Sequence, residues 1–396
     1  MSQTTLLDGI TVLDATQVMA GPYCGMLLAD MGAQVIKVEP PAGDSSRSMA
    51  GARGNDSPAF NAVNRGKRGI VLDLTHQQAR DVFARLARSS DIIVENYRPG
   101  VMAKMGLDYA ALSREHARLI YASVSGHGQT GPWAQKGGFD LIAQGLSGLM
   151  SVTGHPGSPP AKVGVPITDL GAGLFALIGI LGALHHRAQT GRGQHVDTSL
   201  VDAGLALSVW EATHYFTTGE VPGPIGSAHR LSAPYEAFHC ADGYVTIGGA
   251  NDRNFVKIAR VLGHPEWVSD ERFTNNDGRI KHRAALAALI NAVTATEPRA
   301  FWIAELEKAG VPCGPILDYA DALTTPQAMA REMTMQVEHP TLGQLRTLGT
   351  PIKMSETPLN PGRRAPLLGE HSDSILADAG YDPNEIEQLR YSGAVR

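Results

Sequence analysis

The stretch Gly164–His195, GVPITDLGAGLFALIGILGALHHRAQTGRGQH, constrains this chain more than any other. It opens on Pro166 and one acid, Asp169. From Gly171 to Leu184 it is apolar on every side, until His185, His186 and Arg187 stop it and Thr190–Gly193 turns the chain. A helix apolar all round must be buried, in a large core or in a bilayer. This run falls short of the roughly 18–20 apolar residues a membrane span needs, so it reads as a core helix. Asp169 then sits at or beside the helix N-terminus, where free N–H groups and the helix dipole favour an ionised carboxylate. Two readings stay open: an N-cap, or a carboxylate held charged in a dry place as a nucleophile.

A core helix needs a domain large enough to wrap it. The 396 residues suggest two or three domains, and 43% hydrophobic with 18% charged residues is the balance of a soluble globular protein. A net charge of only −5 implies no general attraction to nucleic acid. Cys24, Cys240 and Cys313 are widely spaced, make no metal-ligand pattern and fit a reducing cytoplasm. The first residues, MSQTTLLDGITVLD, lack a basic region followed by an apolar core, so no signal peptide and a cytoplasmic location are expected.

Ile10–Asp14 and Gln34–Val38 read as buried strands flanking a helix, Tyr23–Met31, that Pro22 opens and Gly32 closes. Such a unit implies a parallel sheet with right-handed crossovers. Its first turn lacks G-x-G-x-x-G, so no dinucleotide is expected there. Gly69–Asp73, Asp91–Glu95, Leu119–Ser125 and Gln194–Thr198 add strands. His76–Arg88 and Phe139–Met150 read as helices, and Leu200–Phe216 as a long buried one. After a Gly/Pro-rich linker at Thr217–Arg230 come a hairpin (Tyr235–Cys240, Tyr244–Ile247) and helical patterns at Phe255–Leu262, Arg283–Val293 and Arg299–Ala309. The expected class is α/β. Residues 1–216 form the N-terminal part of a large domain, 217–328 a linker and a small α+β domain, and 329–396 a tail, ending in two helices, that returns to the large domain.

Outside the central stretch, two places invite ligands. The long polar loop from Pro40 to Lys67 carries Arg47, Arg53, Arg65 and Lys67. It is either a solvated surface or a set of cations for phosphate or carboxylate. The strand Asp91–Glu95 ends in Asn96-Tyr97-Arg98, and open parallel sheets bind ligands beyond the carboxyl ends of their strands.

The runs VLDATQVMAGPYCGMLLADMGAQVIKVE, NRGKRGIVLDL, VENYRPGVMAKMGLDY, ASVSGHGQTGP and TDLGAGLFALIGILGALHHRAQTGRGQHVD, in this order, resemble the class III CoA-transferases. That group includes formyl-CoA transferase, carnitine CoA-transferase and succinyl-CoA–glutarate CoA-transferase. The resemblance implies a Rossmann-like large domain built from both chain ends, an inserted small domain, and an interlocked homodimer. It implies that Asp169 is the catalytic carboxylate. Acyl-CoA would first acylate it to a mixed anhydride, and CoA thiolate would convert that to an aspartyl-CoA thioester. The acceptor acid would then take the CoA through a second anhydride. No permanent cofactor or metal is implied; the CoA thioester is a substrate. Gly248 and Gly249 match the family's glycine loop, whose N–H groups would cover the reacting centre as an oxyanion site. Asn96, Tyr97, Lys104 and Leu72 fall where relatives hold CoA, and Arg98 is adjacent.

Departures narrow the reading. The racemase branch carries a histidine where this chain has Phe139, and without that base a 2-methylacyl-CoA racemase is disfavoured. A non-catalytic CoA-binding relative is disfavoured by Asp169, Gly248 and Gly249. Formyl-CoA transferase has tyrosine at the Phe139 position and glutamine at the Met19 position, both near oxalate; here both are apolar, and Pro40 replaces a CoA-contacting arginine. These differences argue against oxalate and for a larger dicarboxylate with succinyl-CoA as donor, with Met19 and Phe139 beside the acceptor. A buried distal carboxylate needs a cation. Arg47 is the first candidate, with a CoA phosphate as its alternative partner, and Arg53 and Arg230 stand behind it.

Overall fold

The computed structural model describes residues 5–396, so the first four residues of the N-terminal reading lie outside it. Six parallel strands form the main sheet: β1 (Thr11–Ala15), β2 (Gln34–Glu39), β3 (Arg68–Val71), β4 (Ile92–Glu95), β5 (Ile120–Ser125) and β6 (His195–Ser199). Their spatial order is β3-β2-β1-β4-β5-β6, with register Leu13 beside Ile36 and Ile93. Chain direction away from β1 reverses between β1 and β4, which makes the ends of these two strands the switch point where an open α/β sheet offers a crevice.

The strands are apolar runs because both faces are covered. Val12, Val35, Ile92, Val94 and Ala122 face one core, completed by the helices Ala20–Asp30, Ile167–Thr190 and Leu200–Leu207. Leu13, Ile36, Ile70, Ile93 and Tyr121 face the other, with the helix Gln77–Ser89. Ile375, Leu376, Leu389 and Val395 of the C-terminal tail lie in that second core.

The central helix differs from its sequence reading in length. It runs 24 residues, Ile167–Thr190, and ends at Gly191 in the left-handed conformation. His185, His186 and Arg187 therefore lie inside it. Arg187 is buried and meets Asp91 at 3.0 Å, a long-range pair that lets the helix continue. The helix is long and apolar enough to cross a membrane by length and composition. Yet it is not buried all round. Gly171, Ala172, Gly173, Ala176 and Ala183 are packed, while Leu174, Phe175 and Ile178 are exposed. The small face allows close approach: a Cβ at Gly173 would stand 2.5 Å from the Ala20 carbonyl oxygen.

The long helix read over Leu200–Phe216 is two helices, Leu200–Leu207 and Val209–Thr218, broken at Ser208. It is not buried: Leu205, Val209, Trp210 and Phe216 are exposed. The helix read over Phe139–Met150 likewise ends at Leu146, and a short turn of helix follows at Leu149–Val152.

The chain divides into two compact units. One comprises Met1–Leu149, Lys162–Gly219 and Pro326–Arg396; the other comprises Met150–Ala161 and Glu220–Thr325. The smaller unit holds an antiparallel sheet of β7 (Tyr235–Cys240), β8 (Gly243–Gly248) and β9 (Cys313–Pro315). Phe238, Ile247, Phe255, Ile290 and Trp302 pack its core. In the larger unit a hairpin follows, β10 (Thr334–His339) with β11 (Gly343–Leu348).

Candidate active site

Asp169 occupies the third position of its helix, whose N-cap is Pro166. Proline offers no capping side chain, and Asp169 does not fold back to supply one. The cap comes from another helix, Asp140–Leu146. Asp140 Oδ1 accepts from the Thr168 N–H at 3.0 Å and the Thr168 hydroxyl at 2.7 Å, while its Oδ2 accepts from Gln144 Nε2 at 2.7 Å. Gln144, itself fully buried, accepts from the Val163 N–H at 2.8 Å. The entry to the Asp169 helix is thus pinned by an Asp–Gln pair one helical turn apart.

Asp169 itself is left unpaired. Among the described residues no group donates a hydrogen bond to its carboxylate. Burial pushes its pKa up to about 7, and the Asp140 charge pushes in the same direction. The helix N-terminus pulls the other way, but desolvation of a carboxylate with no partner outweighs it. The N-cap reading of Asp169 is therefore replaced: Asp140 does the capping, and Asp169 is free to meet a ligand.

The loop beyond β1, Thr16–Met19, leads into the helix that crosses the Asp169 helix at Gly173. It is clamped from three sides. Lys37 Nζ donates to the Thr16 carbonyl at 2.5 Å. The Asn96 side chain accepts from Gln17 N–H and donates to Gln17 O, both at 2.8 Å. Asp44 accepts from the Val18 N–H at 3.2 Å. Between these clamps Val18 has φ +71°, an unfavourable conformation for a β-branched residue that persists only when surroundings over-determine it.

Beneath the loop lies a dry ionic network. Lys37 meets Asp44 at 3.0 Å and Lys67 meets Asp14 at 2.7 Å, all four side chains buried. Burial, offset in part by Asp14, brings Lys67 down to about 8. For Asp14, burial pushes upward but Lys67 and Lys37 prevail, and its pKa is lowered.

Several assignments drawn from the resemblance change here. Arg47 cannot receive a substrate. It is 3% exposed, and all five of its N–H groups are committed, to both oxygens of Glu39, to Asp56, and to the carbonyls of Asn55 and Pro366. Its guanidinium also lies 3.6 Å from the centre of the Phe60 ring. It is a brace. Leu72 is 1% exposed within the sheet core, so its side chain is unavailable to CoA. Asn96 holds the Gln17 backbone. Gly248 and Gly249 are not in the left-handed region, and their N–H groups are already donated, to Pro312 O and Pro234 O, each at 2.8 Å. As they stand they form no oxyanion site. Gly249 is glycine because a Cβ would lie 2.5 Å from the Pro234 carbonyl.

Other assignments keep their availability. Arg98, just beyond the carboxyl end of β4, and Lys104, the last residue of the short helix Val101–Lys104 that follows, are exposed, with no ion pair among the described residues. Tyr97 is half-buried beside them, its hydroxyl held above its usual range by burial. Met19 is the N-cap of the helix Ala20–Asp30, and Phe139 is 74% exposed as the N-cap of the Asp140 helix.

Arg98 also lines a cleft of about 190 Å³ that sequence reasoning missed. In it Ser123 Oγ is 3.0 Å from His195 Nε2, and Ser123 also bonds the buried Glu95. Burial pushes Glu95 up to about 7. Only the carboxyl end of a strand in the sequence hinted at Glu95; nothing signalled Ser123 and His195, which the sheet brings together.

Residues 7–372 match the family described as CoA-transferase family III. The succinyl-CoA:glutarate CoA-transferase of Mus musculus is 36% identical, the match covering 98% of this chain and 90% of that protein. The succinyl-CoA:mesaconate CoA-transferase of Haloarcula marismortui is 40% identical over 96% and 98%. The acetyl-CoA:oxalate CoA-transferase of Acetobacter aceti is 40% identical over 93% and 94%. A crystal structure of a CaiB/BaiF family protein from Brucella suis superposes with TM-score 0.83 at 40% identity, covering 95% of this chain and all of that one. A carboxylate without a partner among the described residues, at the start of a helix packed on the one that follows β1 of a Rossmann-ordered sheet, thus sits in a chain alike from end to end to enzymes that move CoA, and this chain belongs to CoA-transferase family III.

Proposed function

We propose that this enzyme transfers CoA from succinyl-CoA, or a similar acyl-CoA, to a dicarboxylic acid, with Asp169 as the covalent carrier. The observation that carries the proposal is the Asp169 carboxylate: partly buried, without a hydrogen-bond donor among the described residues, and made more basic by burial. Such a group is a better nucleophile than a solvated carboxylate. The dicarboxylate follows from the glutarate and mesaconate enzymes among the relatives.

In the first step an Asp169 oxygen attacks the thioester carbonyl. The C–S bond breaks, and CoA leaves as thiolate. The thiolate then attacks Cγ of Asp169 in the mixed anhydride, and the donor acid departs with one oxygen that began on Asp169. The acceptor carboxylate attacks the aspartyl-CoA thioester and again expels thiolate. Attack of that thiolate on the acceptor carbonyl yields acceptor-CoA and restores Asp169, now carrying one acceptor oxygen. One thioester is exchanged for another, so no energy input is required. Arg98, Lys104 and Tyr97, beyond the end of β4, are the groups proposed to hold CoA. Arg47 being committed, the distal carboxylate of the acceptor is met by another cation.

The oxygen bookkeeping supplies the test. With ¹⁸O-labelled acceptor, the peptide containing Asp169 gains label, and the donor acid gains it after further turnovers. Turnover without label in that peptide would contradict the carrier role.

The assembly proposed is the interlocked homodimer of the resemblance. It is supported by the apolar surface left on the Asp169 helix and the two after it, where Ile178, Val209, Trp210 and Phe216 are all more than half exposed. A dimer mass that persists at nanomolar concentration in mass photometry is expected; a folded monomer there would contradict it.

A further inference from the structure

Four arginines line one small cavity of about 160 Å³ in the larger unit: Arg65, Arg346, Arg363 and Arg364. The cavity lies between the helix Pro58–Asn64, strand β11 and the segment before the last two helices. It is at the C-terminal end of the helix Ala20–Asp30, away from the Val18 loop, because Arg65 pairs with Asp30 at 2.6 Å and Arg363 donates to Ala29 O at 2.5 Å.

We propose that this cavity binds a small dianionic oxyanion, a phosphate or a dicarboxylate, at a site separate from that of the transfer reaction. Like charges gathered in one cavity repel, so each needs a reason to be there. Arg65 spends three N–H groups on Asp30 and Leu348 O, and Arg364 spends three on Glu370 and Ala365 O. Arg363 spends one, and Gly66 makes room for it, since a Cβ there would come within 2.8 Å of its guanidinium. Those contacts orient three guanidinium groups while leaving N–H groups unspent. The Arg346 backbone belongs to the β10–β11 ladder, but its guanidinium makes no hydrogen bond or ion pair among the described residues. Asp30 and Glu370 pair with Arg65 and Arg364, and Asp56, whose charge also reaches Arg364, is paired with Arg47; Arg346 and Arg363 are left without a carboxylate in ion-pair contact among the described residues, an excess of two positive charges. An oxyanion with two charges neutralises that excess, and guanidinium forks match its oxygens. It would also tie the hairpin, the helix Pro58–Asn64 and the tail together.

The test uses the full-length protein saturated with CoA, so that phosphate is kept from the CoA site. Inorganic phosphate is titrated at constant ionic strength and followed by calorimetry and by Tm. Saturable binding with a Kd near or below about 1 mM is expected. In Arg346→Glu, an exposed position on β11, binding weakens about tenfold or more, while Tm without phosphate and the rate of CoA transfer stay unchanged. Arg346→Ala gives a smaller loss in the same direction. Glutarate distinguishes the two ligands: displacement of phosphate at this site, lost in Arg346→Glu, identifies a dicarboxylate, and failure to displace identifies a tetrahedral anion. No saturable binding below about 10 mM, or equal binding by wild type and Arg346→Glu, overturns the proposal.

Discussion

Two groups of charge in the larger unit, one fully and one partly buried, are built on opposite rules. Around Arg47, Glu39, Asp44, Lys37, Lys67 and Asp14, charges are matched by opposite charges and hydrogen bonds within 3.0 Å. Around Asp169 there is one more carboxylate, Asp140, and among the described residues no cation pairs with it. Asp140 satisfies itself through Thr168 and Gln144, and its charge repels that of Asp169, against which only the helix N-terminus pulls. Paired burial makes a scaffold, because breaking a pair strands a charge in low dielectric. Unpaired burial makes a reagent, because the cost of holding the carboxylate is relieved when it forms a bond.

The sharpest way to break this contrast is Asp169→Ala. Transfer should fall by about 10⁴-fold or more, with the purified protein still folded by circular dichroism. Substantial residual turnover would put the reagent elsewhere. On the scaffold side, Arg47→Ala strands Glu39 and Asp56 together. It should destabilise by about 3–5 kcal/mol, measured by urea unfolding, and any activity loss should follow the folded fraction. If Arg47→Ala instead folds normally and loses only acceptor affinity, Arg47 belongs with the reagent.

Asn96 lies between the two regions, since it holds a strained loop and no charge. Asn96→Ala removes both clamps on Gln17 and should lower kcat about tenfold with KM for acyl-CoA changed less. A rise in KM alone would return Asn96 to direct CoA contact. The smallest effect concerns Asp140→Asn. Its carbonyl oxygen still caps Thr168, but its charge and the acceptor for Gln144 Nε2 are gone. The midpoint of the kcat/KM–pH profile, near 7 in the wild type if Asp169 must be ionised, should move down by about one unit or less. An unmoved midpoint would mean that Asp140 does not act through charge.

The parallel sheet was legible because doubly buried strands are short unbroken apolar runs, as at Ile92-Ile93-Val94. The three-residue strand β9, with Gly314 and Pro315, gave no such run. Helix ends were less legible because long-range partners decide them: Arg187 looks like a stop until Asp91 is found 3.0 Å away. The pattern of Leu200–Phe216 could not tell a core face from a surface left apolar, since both read as Leu, Val and Trp. In the candidate site, Asp169 stood out by its place before an apolar run. Arg47 misled because Glu39 and Asp56 bracket it only once the chain has turned. The Asp140–Gln144 brace had only an i, i+4 spacing to announce it, and the Gly248–Gly249 pair reads in sequence as a glycine loop with N–H groups to offer although those groups are already donated.

The claim that Asp169 is held unpaired at a cost is tested most directly by its effect on stability against pH. Its folded pKa of about 7 lies above its unfolded value near 3.8. Between these values the folded protein binds more protons than the unfolded chain. The carboxylate therefore costs nothing below about pH 4, costs progressively more as pH rises, and costs its full amount above about pH 7. Asp169→Asn removes that charge and keeps the shape. Urea unfolding of the two proteins from pH 4 to pH 8 should show them equal at the acid end and the variant more stable by on the order of 2 kcal/mol at pH 8. A variant equally stable or less stable at pH 8 would mean that Asp169 has a partner, and that the contrast between scaffold and reagent is wrong.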